Sequence, residues 1–274
     1  MSQEDVIKNS KNLITKEKLI NDLKSIGVKK GMTLIVHSSL SKIGFVSGGA
    51  QTVVQALKEV LGSEGTLVMP THSADVSDPA EWHNPSVPKE WIEALQETMP
   101  AFEPDKTSTF YMGKIVESFM MSDDVIRSNH PKVSFAAWGK DNDEITKDHP
   151  LDHGMGIDTP MHNVYKKEGY VLLIGVDYDS NSSMHLGEHL SGQLDEVQTA
   201  SPILENRKRV WKTYAELEYD ENKFNEIGES FERQNTVNKG NIGQAASKLM
   251  SQPELVDFTA DYLRNLNKKI NISN

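Results

Sequence analysis

His185 and Glu188 sit three positions apart behind a run of small polar residues, and together they could move a proton. They belong to Ser183-Met-His185-Leu-Gly-Glu188-His189, which follows Val176-Asp-Tyr-Asp179-Ser-Asn-Ser-Ser183. If Ser183 caps a helix, His185, Glu188 and His189 share one face, because positions three and four apart are neighbours. A neutral imidazole accepts a proton near neutral pH, and a carboxylate beside it orients the ring. That pairing suits an amine that must lose a proton to attack a thioester. Asp179, in the preceding loop, is a further catalytic candidate. The same residues also read His185-x-x-Glu188-His189, an inverted zinc-peptidase motif with both imidazoles on one metal. Gly187 weakens a helix at the centre of that motif, and no other segment announces a third ligand. A plain helix start, with polar groups serving structure alone, also fits.

A second group of candidates lies in His37-Ser38-Ser39-Leu-Ser-Lys-Ile-Gly44, followed by Ser47-Gly48-Gly49. Backbone N–H groups at a helix start can hold a phosphate, and the hydroxyls of Ser38 and Ser39 would add hydrogen bonds. A Gly-Gly before a helix is also ordinary turn chemistry. Neither the phosphate-loop nor the dinucleotide glycine fingerprint is present, and neither serine sits in a Gly-x-Ser-x-Gly elbow.

The elements that must position these residues read as an α/β layered domain. Met32–His37, Thr66–Met69 and Tyr170–Gly175 are short apolar runs suited to central strands, and Val133–Trp138 is a fourth candidate. Helical periodicity predicts helices over Lys16–Ile26 and Ala50–Leu61, each ended by a glycine, around Trp91–Leu95, and over Met112–Met121. Further on, Arg209–Tyr219 has strand character, whereas Glu221–Arg233, Ile242–Met250 and Glu254–Leu266 read as helices. Long loops follow the strands, where open α/β sheets bind ligands. With no repeat and no clear linker, one domain over residues 1–274 is expected, its last third from about 195 packing as an α+β extension.

Composition limits the partners. The net charge is −11 with no basic cluster, which argues against nucleic acid and is compatible with a cationic substrate. There is no cysteine, so disulfides and thiolate nucleophiles are excluded. No apolar run is long enough for a membrane helix, and Met1–Lys11 lacks the apolar core of a secretory signal. A cytoplasmic protein is expected; a homodimer is left open.

Taken in order, these segments resemble the aminoglycoside 3-N-acetyltransferase family. The resemblance is carried by His37-Ser-Ser-Leu-Ser-x-Ile-Gly44 with Gly48-Gly49, Gly65-Thr-Leu-Val-Met-Pro-Thr71 and Asp78-Pro-x-x-Trp82. It continues through Val87-Pro, Pro100-Ala-Phe-x-Pro104, Met112-Gly-Lys-Ile-Val-Glu117, Arg127-Ser-Asn-His-Pro131 and Ser134-Phe-Ala-Ala-Trp-Gly139. Val171-Leu-Leu-Ile-Gly-Val176 and Ser183-Met-His-Leu-Gly-Glu188 complete it. The match covers roughly Leu19 to Leu190, and the remainder more loosely.

The resemblance implies a three-layer α/β/α fold with a mixed, largely parallel central sheet, distinct from the GNAT acetyltransferases. It implies acetyl-CoA as donor, the 3-amino group of a 2-deoxystreptamine aminoglycoside as acceptor, and no metal. It places the general base on His185 and its support on Glu188. Cofactor contacts would fall on His37, Ser38, Ser39 and Ser73, with help from Ser134 and Phe135, and Arg127 would meet a CoA phosphate or anchor a turn. Glu218, Asp220 and Glu229 are candidates for the acceptor's ammonium groups. Two alternatives from other classes stay open: a zinc-dependent hydrolase, and a CoA-binding protein without catalysis.

Overall fold

The computed structural model describes residues 3–273; Met1, Ser2 and Asn274, part of the domain expected over 1–274, lie outside them. In chain order the strands are β1 (Thr33–Ser38), β2 (Thr66–Pro70), β3 (Ile126–Arg127), β4 (Phe135–Gly139) and β5 (Tyr170–Ile174). They continue as β6 (Glu196–Glu205), β7 (Lys208–Leu217), β8 (Asn238–Ile242) and β9 (Ala245–Ser251). The helices are α1 (Gln3–Asn9), α2 (Lys16–Ile26), α3 (Leu40–Ile43), α4 (Gly49–Leu61), α5 (Ile92–Thr98) and α6 (Lys114–Met120). Then come α7 (Asn142–Thr146), α8 (Pro160–Lys166), α9 (Ser183–Ser191), α10 (Phe224–Glu232) and α11 (Gln252–Ser273).

Seven strands form one sheet in the order β3-β4-β2-β1-β5-β9-β8. The α/β class and the mixed sheet are as expected. Its parallel part is narrower than a largely parallel sheet: β1 pairs in parallel with β2 and β5, and the outer pairings are antiparallel. Strand alternation sends side chains to two cores. Leu34, Val36, Leu67, Met69, Leu172 and Ile174 pack with residues of α2, α4 and α6. Ile35, Val68, Phe135, Val171 and Leu173 pack with α8, α9, α10 and α11 on the other face. The result is a three-layer α/β/α arrangement. Because side chains alternate along a strand, His37 lies on the same face as Ile35, toward α9.

One expectation about the last third changes. Ile242–Met250 is not a helix. Gly243, at φ 59°, turns β8 into β9, and β9 pairs along the whole of β5 from Tyr170 to Ile174. The reason is the edge of β5, whose backbone groups need a partner when both faces are covered. The last third thus contributes β8 and β9 to the main sheet, and among the described residues the β6-β7 hairpin forms a separate sheet. Gly187, which weakens α9 in isolation, is required by packing: a Cβ there would lie 2.6 Å from Thr259 Cβ and 2.8 Å from the Val256 carbonyl oxygen. Gly187 lets α9 approach α11 closely.

Candidate active site

β1 lies between two parallel neighbours, so the loops after β1, β2 and β5 meet at one edge of the sheet. A cavity of about 420 Å³ opens there, lined by His37, Ser38, His72, Tyr111, Met112, Asp179, Ser182, His185 and Glu221 among others. A larger one, about 930 Å³, lies beside it and shares Ser38, Tyr111 and Met112. Its wall also includes Ser39, Ser41, Gly48, Gly49 and Lys114.

His185 reaches the smaller cavity from the first turn of α9. The start of that helix differs from the expectation: Ser183 is inside it, and Ser182 precedes it without a side-chain cap. Asn181 does the work instead, its Oδ1 accepting from the Ser183 N–H at 3.1 Å. Asn suits this because its short amide bonds the backbone two residues on. His185 Nδ1 lies 2.6 Å from Glu188 Oε2, and Glu188 Oε1 accepts from the Asp220 N–H at 3.1 Å. The Glu188 side chain is only 4% exposed. Tyr219 and Phe224 hold the imidazole at ring-centre distances of 5.0 and 4.9 Å. A carboxylate on Nδ1 fixes the tautomer with its proton there, which leaves Nε2 as the basic nitrogen.

Two more imidazoles line the same cavity. Burial, and then the proximity of His185, push His37 down to about 3. His72 falls to about 3 as well, first through burial and then through His185 and His37. Both are neutral at physiological pH and add no charge against a cationic amine. His72 was absent from the sequence reading. Its only signal was its place just past the carboxyl end of β2. Tyr111, Met112 and Lys114 were likewise unforeseen as cavity residues.

The structure separates the remaining candidates. Ser38 and Ser39 line the larger cavity next to the start of α4, where Gly48 adopts φ 78°. Asp179 is exposed on the rim of the smaller cavity. Ser73, Ser134 and Phe135 are fully buried and line neither of these two cavities. Arg127 has the anchoring geometry, the second of its two expected roles. Its Nε donates to Ser134 Oγ at 2.9 Å, and Nη2 donates to the Thr71 carbonyl at 2.6 Å and Ser73 Oγ at 2.7 Å. Nη1 donates to the carbonyls of Pro104 and Thr107. Burial lowers this guanidinium to about 10, so it stays charged at neutral pH while serving as an internal staple. Of the acidic residues, Glu221 lines the smaller cavity, whereas Glu218, Asp220 and Glu229 do not. Asp220 instead accepts from the Asn222 N–H at 3.0 Å.

The zinc arrangement is not assembled. His189 faces His153, with ring centres 5.6 Å apart, while His185 turns to Glu188 and the cavity. Among the described residues no group of three or more His, Asp or Glu is placed to hold a metal ion. The larger cavity does fit a long phosphate-bearing ligand. Its volume is at the upper end of the roughly 300–1,000 Å³ usual for ligand pockets. It also offers a cation, hydroxyls and the positive end of the 13-residue helix α4. No helix among the described residues is long and apolar enough to cross a membrane.

Comparison with known proteins places this geometry. Residues 35–264 match the family model described as Aminoglycoside 3-N-acetyltransferase. The SPbeta prophage-derived aminoglycoside N(3')-acetyltransferase-like protein YokD of Bacillus subtilis (strain 168) is 46% identical over 256 residues, 93% of this chain and 94% of its own length. The crystal structure of YokD superposes with a TM-score of 0.95 and 44% identity, covering 97% of this chain and 99% of that one. Aminoglycoside N(3)-acetyltransferase IX of Micromonospora chalcea is 34% identical over 229 residues, covering 82% of this chain and 80% of that one. The structure "AAC-IIIb binary with CoASH" has a TM-score of 0.82 and 26% identity, covering 93% and 97% of the two chains.

Proposed function

Because this chain belongs to the aminoglycoside 3-N-acetyltransferase family, we propose that it transfers acetyl from acetyl-CoA to the 3-amino group of a 2-deoxystreptamine aminoglycoside or a related primary amine. The observation that carries this reading is the His185–Glu188 pair, 2.6 Å apart at the wall of a cavity that adjoins a larger one suited to CoA.

In this mechanism the larger cavity takes the CoA chain, with Lys114, Ser39, Ser41 and the start of α4 nearest the phosphates. Ser38, common to both cavities, stands where the donor carbonyl would enter. The amine nitrogen attacks that carbonyl and its proton passes to His185 Nε2. The C–S bond then breaks, and the departing thiolate takes up a proton to leave as CoA thiol. Glu188 stabilises the imidazolium that forms between these events. Asp179 and Glu221, on the rim, would draw ammonium groups toward the cavity, in keeping with the acidic chain.

The test is release of free CoA thiol from acetyl-CoA over a panel of aminoglycosides and simple primary amines, with mass analysis of the product. Amine-dependent release with acetylated product supports the reading. CoA binding without turnover of any amine would leave the non-catalytic alternative in its place.

A further inference from the structure

The two cavities meet at a strap, Phe110-Tyr111-Met112-Gly113, which contributes Tyr111 and Met112 to both. Tyr111 is unusual twice over. It is 83% exposed, although it is a large aromatic residue. Its backbone sits at φ 56°, in the left-handed region that bulky side chains rarely adopt. Its ring packs edge-on against Phe110 with centres 4.3 Å apart. The strap is pinned at both ends. The Phe110 N–H donates to the His72 carbonyl at 2.8 Å, and α6 begins after Gly113 with Ile115 and Val116 buried. An unfavourable backbone conformation persists where its surroundings enforce it, and such residues gather at ligand clamps. Here the enforced conformation presents an uncovered aromatic surface at the passage between the cavities.

We propose that Tyr111 is a donor-positioning residue, its ring packing on the pantetheine arm where that chain passes from the larger cavity toward His185. This rests on the reading of the larger cavity as the acetyl-CoA site. The chemistry at the strap selects the arm over the phosphates. Lys114 and the start of α4 offer charge and N–H groups for anions, whereas the aromatic ring, the Met112 thioether and the Ser38 hydroxyl suit a slender uncharged chain bearing amides. The ring also screens the thioester from water. Without it, water attacks the acetyl carbonyl, the C–S bond breaks, and acetate, a proton and CoA thiol leave without acetylating the amine.

Three full-length variants test this: Tyr111→Phe, Tyr111→Ala and Tyr111→Gly. CoA binding is measured by calorimetry, and thiol release from acetyl-CoA is followed with and without amine. Tyr111→Phe, which keeps the ring and loses only the hydroxyl, should recover the CoA affinity that Tyr111→Ala loses. Tyr111→Ala should bind CoA about tenfold more weakly, the scale of one aromatic contact. It should also raise the share of thiol release that occurs without amine. Tyr111→Gly tolerates positive φ, so it should melt no lower than the wild type yet show the same donor defect, which a merely structural role would not produce. Wild-type CoA affinity and an unchanged amine-independent share in Tyr111→Ala overturn the proposal alone. A wild-type protein that binds no CoA overturns both the cavity reading and the clamp.

Discussion

Replacing Glu188 by Gln removes both the charge and the hydrogen-bond acceptor that support the proposed base. The substitution keeps the side-chain shape in a site where Glu188 is 4% exposed, and it keeps an oxygen for the Asp220 N–H, now 3.1 Å away. What it removes is the negative charge 2.6 Å from His185 Nδ1, and with its oxygen turned to the Asp220 N–H it sets an NH2 donor against that ring nitrogen. A hydrogen bond to a charged group contributes about 1.5–3 kcal/mol, against roughly 1 for a neutral one. A ring that accepts from this NH2 keeps a hydrogen bond only by carrying its own proton on Nε2, the nitrogen that must act as base. The imidazolium, a donor at both nitrogens, loses the charged bond altogether. A loss of about 1.5–3 kcal/mol at that stage lowers kcat by about 10- to 150-fold. The KM for acetyl-CoA should stay within about twofold, because the donor cavity is untouched. Steady-state thiol release over a range of both substrates, beside circular dichroism and thermal melting of the variant, separates the cases. A folded Glu188→Gln protein with kcat within about twofold of wild type would refute the reasoning that this carboxylate supports the base.

Other consequences follow from the interior. Arg127→Ala strands the acceptors of Thr71, Ser73, Pro104, Thr107 and Ser134, so it should cost about 3–5 kcal/mol in urea unfolding, with no selective rise in the KM for acetyl-CoA. Gly187→Ala should destabilise by about 1–3 kcal/mol because its Cβ would meet the Val256 carbonyl oxygen at 2.8 Å, although helix propensity alone predicts a gain; a higher melting temperature would contradict the packing argument. Acid should also destabilise the fold. His37 and His72 fall to about 3, His149 to about 4, and His130 well below its ordinary value, each mainly through burial. Their unfolded counterparts take up protons below about pH 6.5, so stability is full above that pH and declines as pH falls toward the folded values. Burial raises Glu216, which works in the opposite sense and offsets part of the slope. Unfolding free energy measured from pH 7 to 4 should fall with a slope of more than one proton, and His72→Asn should flatten it.

The central strands were legible because burial on both faces leaves little but Val, Ile and Leu, as in Thr33–Ser38 and Tyr170–Ile174. The helices Lys16–Ile26 and Gly49–Leu61 were legible from one-sided periodicity and a closing glycine. β6 was missed because Glu196–Glu205 mixes polar residues with Pro202 and pairs only with β7, through a turn at Asn206 and Arg207. Ile242, Ala245 and Leu249 fit a helical spacing equally well, and only the needs of β5 decide for a strand. At the site, the three-residue spacing of His185 and Glu188 forecast their contact, since helical geometry alone brings them together. His72 and Tyr111 depend on how separate loops converge, which no local pattern encodes. Arg127 shows the complementary limit: its residue type announces an anion partner, but burial hands all of its donors to carbonyls and hydroxyls.

The central claim is that one imidazole, seated on α9 and lining the smaller of two adjoining cavities, removes the proton from the attacking amine. Its most direct measurement is single-turnover acetyl transfer by His185→Ala at saturating acetyl-CoA, with CoA affinity determined on the same preparation. The account predicts a rate lower by about two to four orders of magnitude with CoA binding intact. Transfer at close to the wild-type rate in a variant that still binds CoA would contradict it.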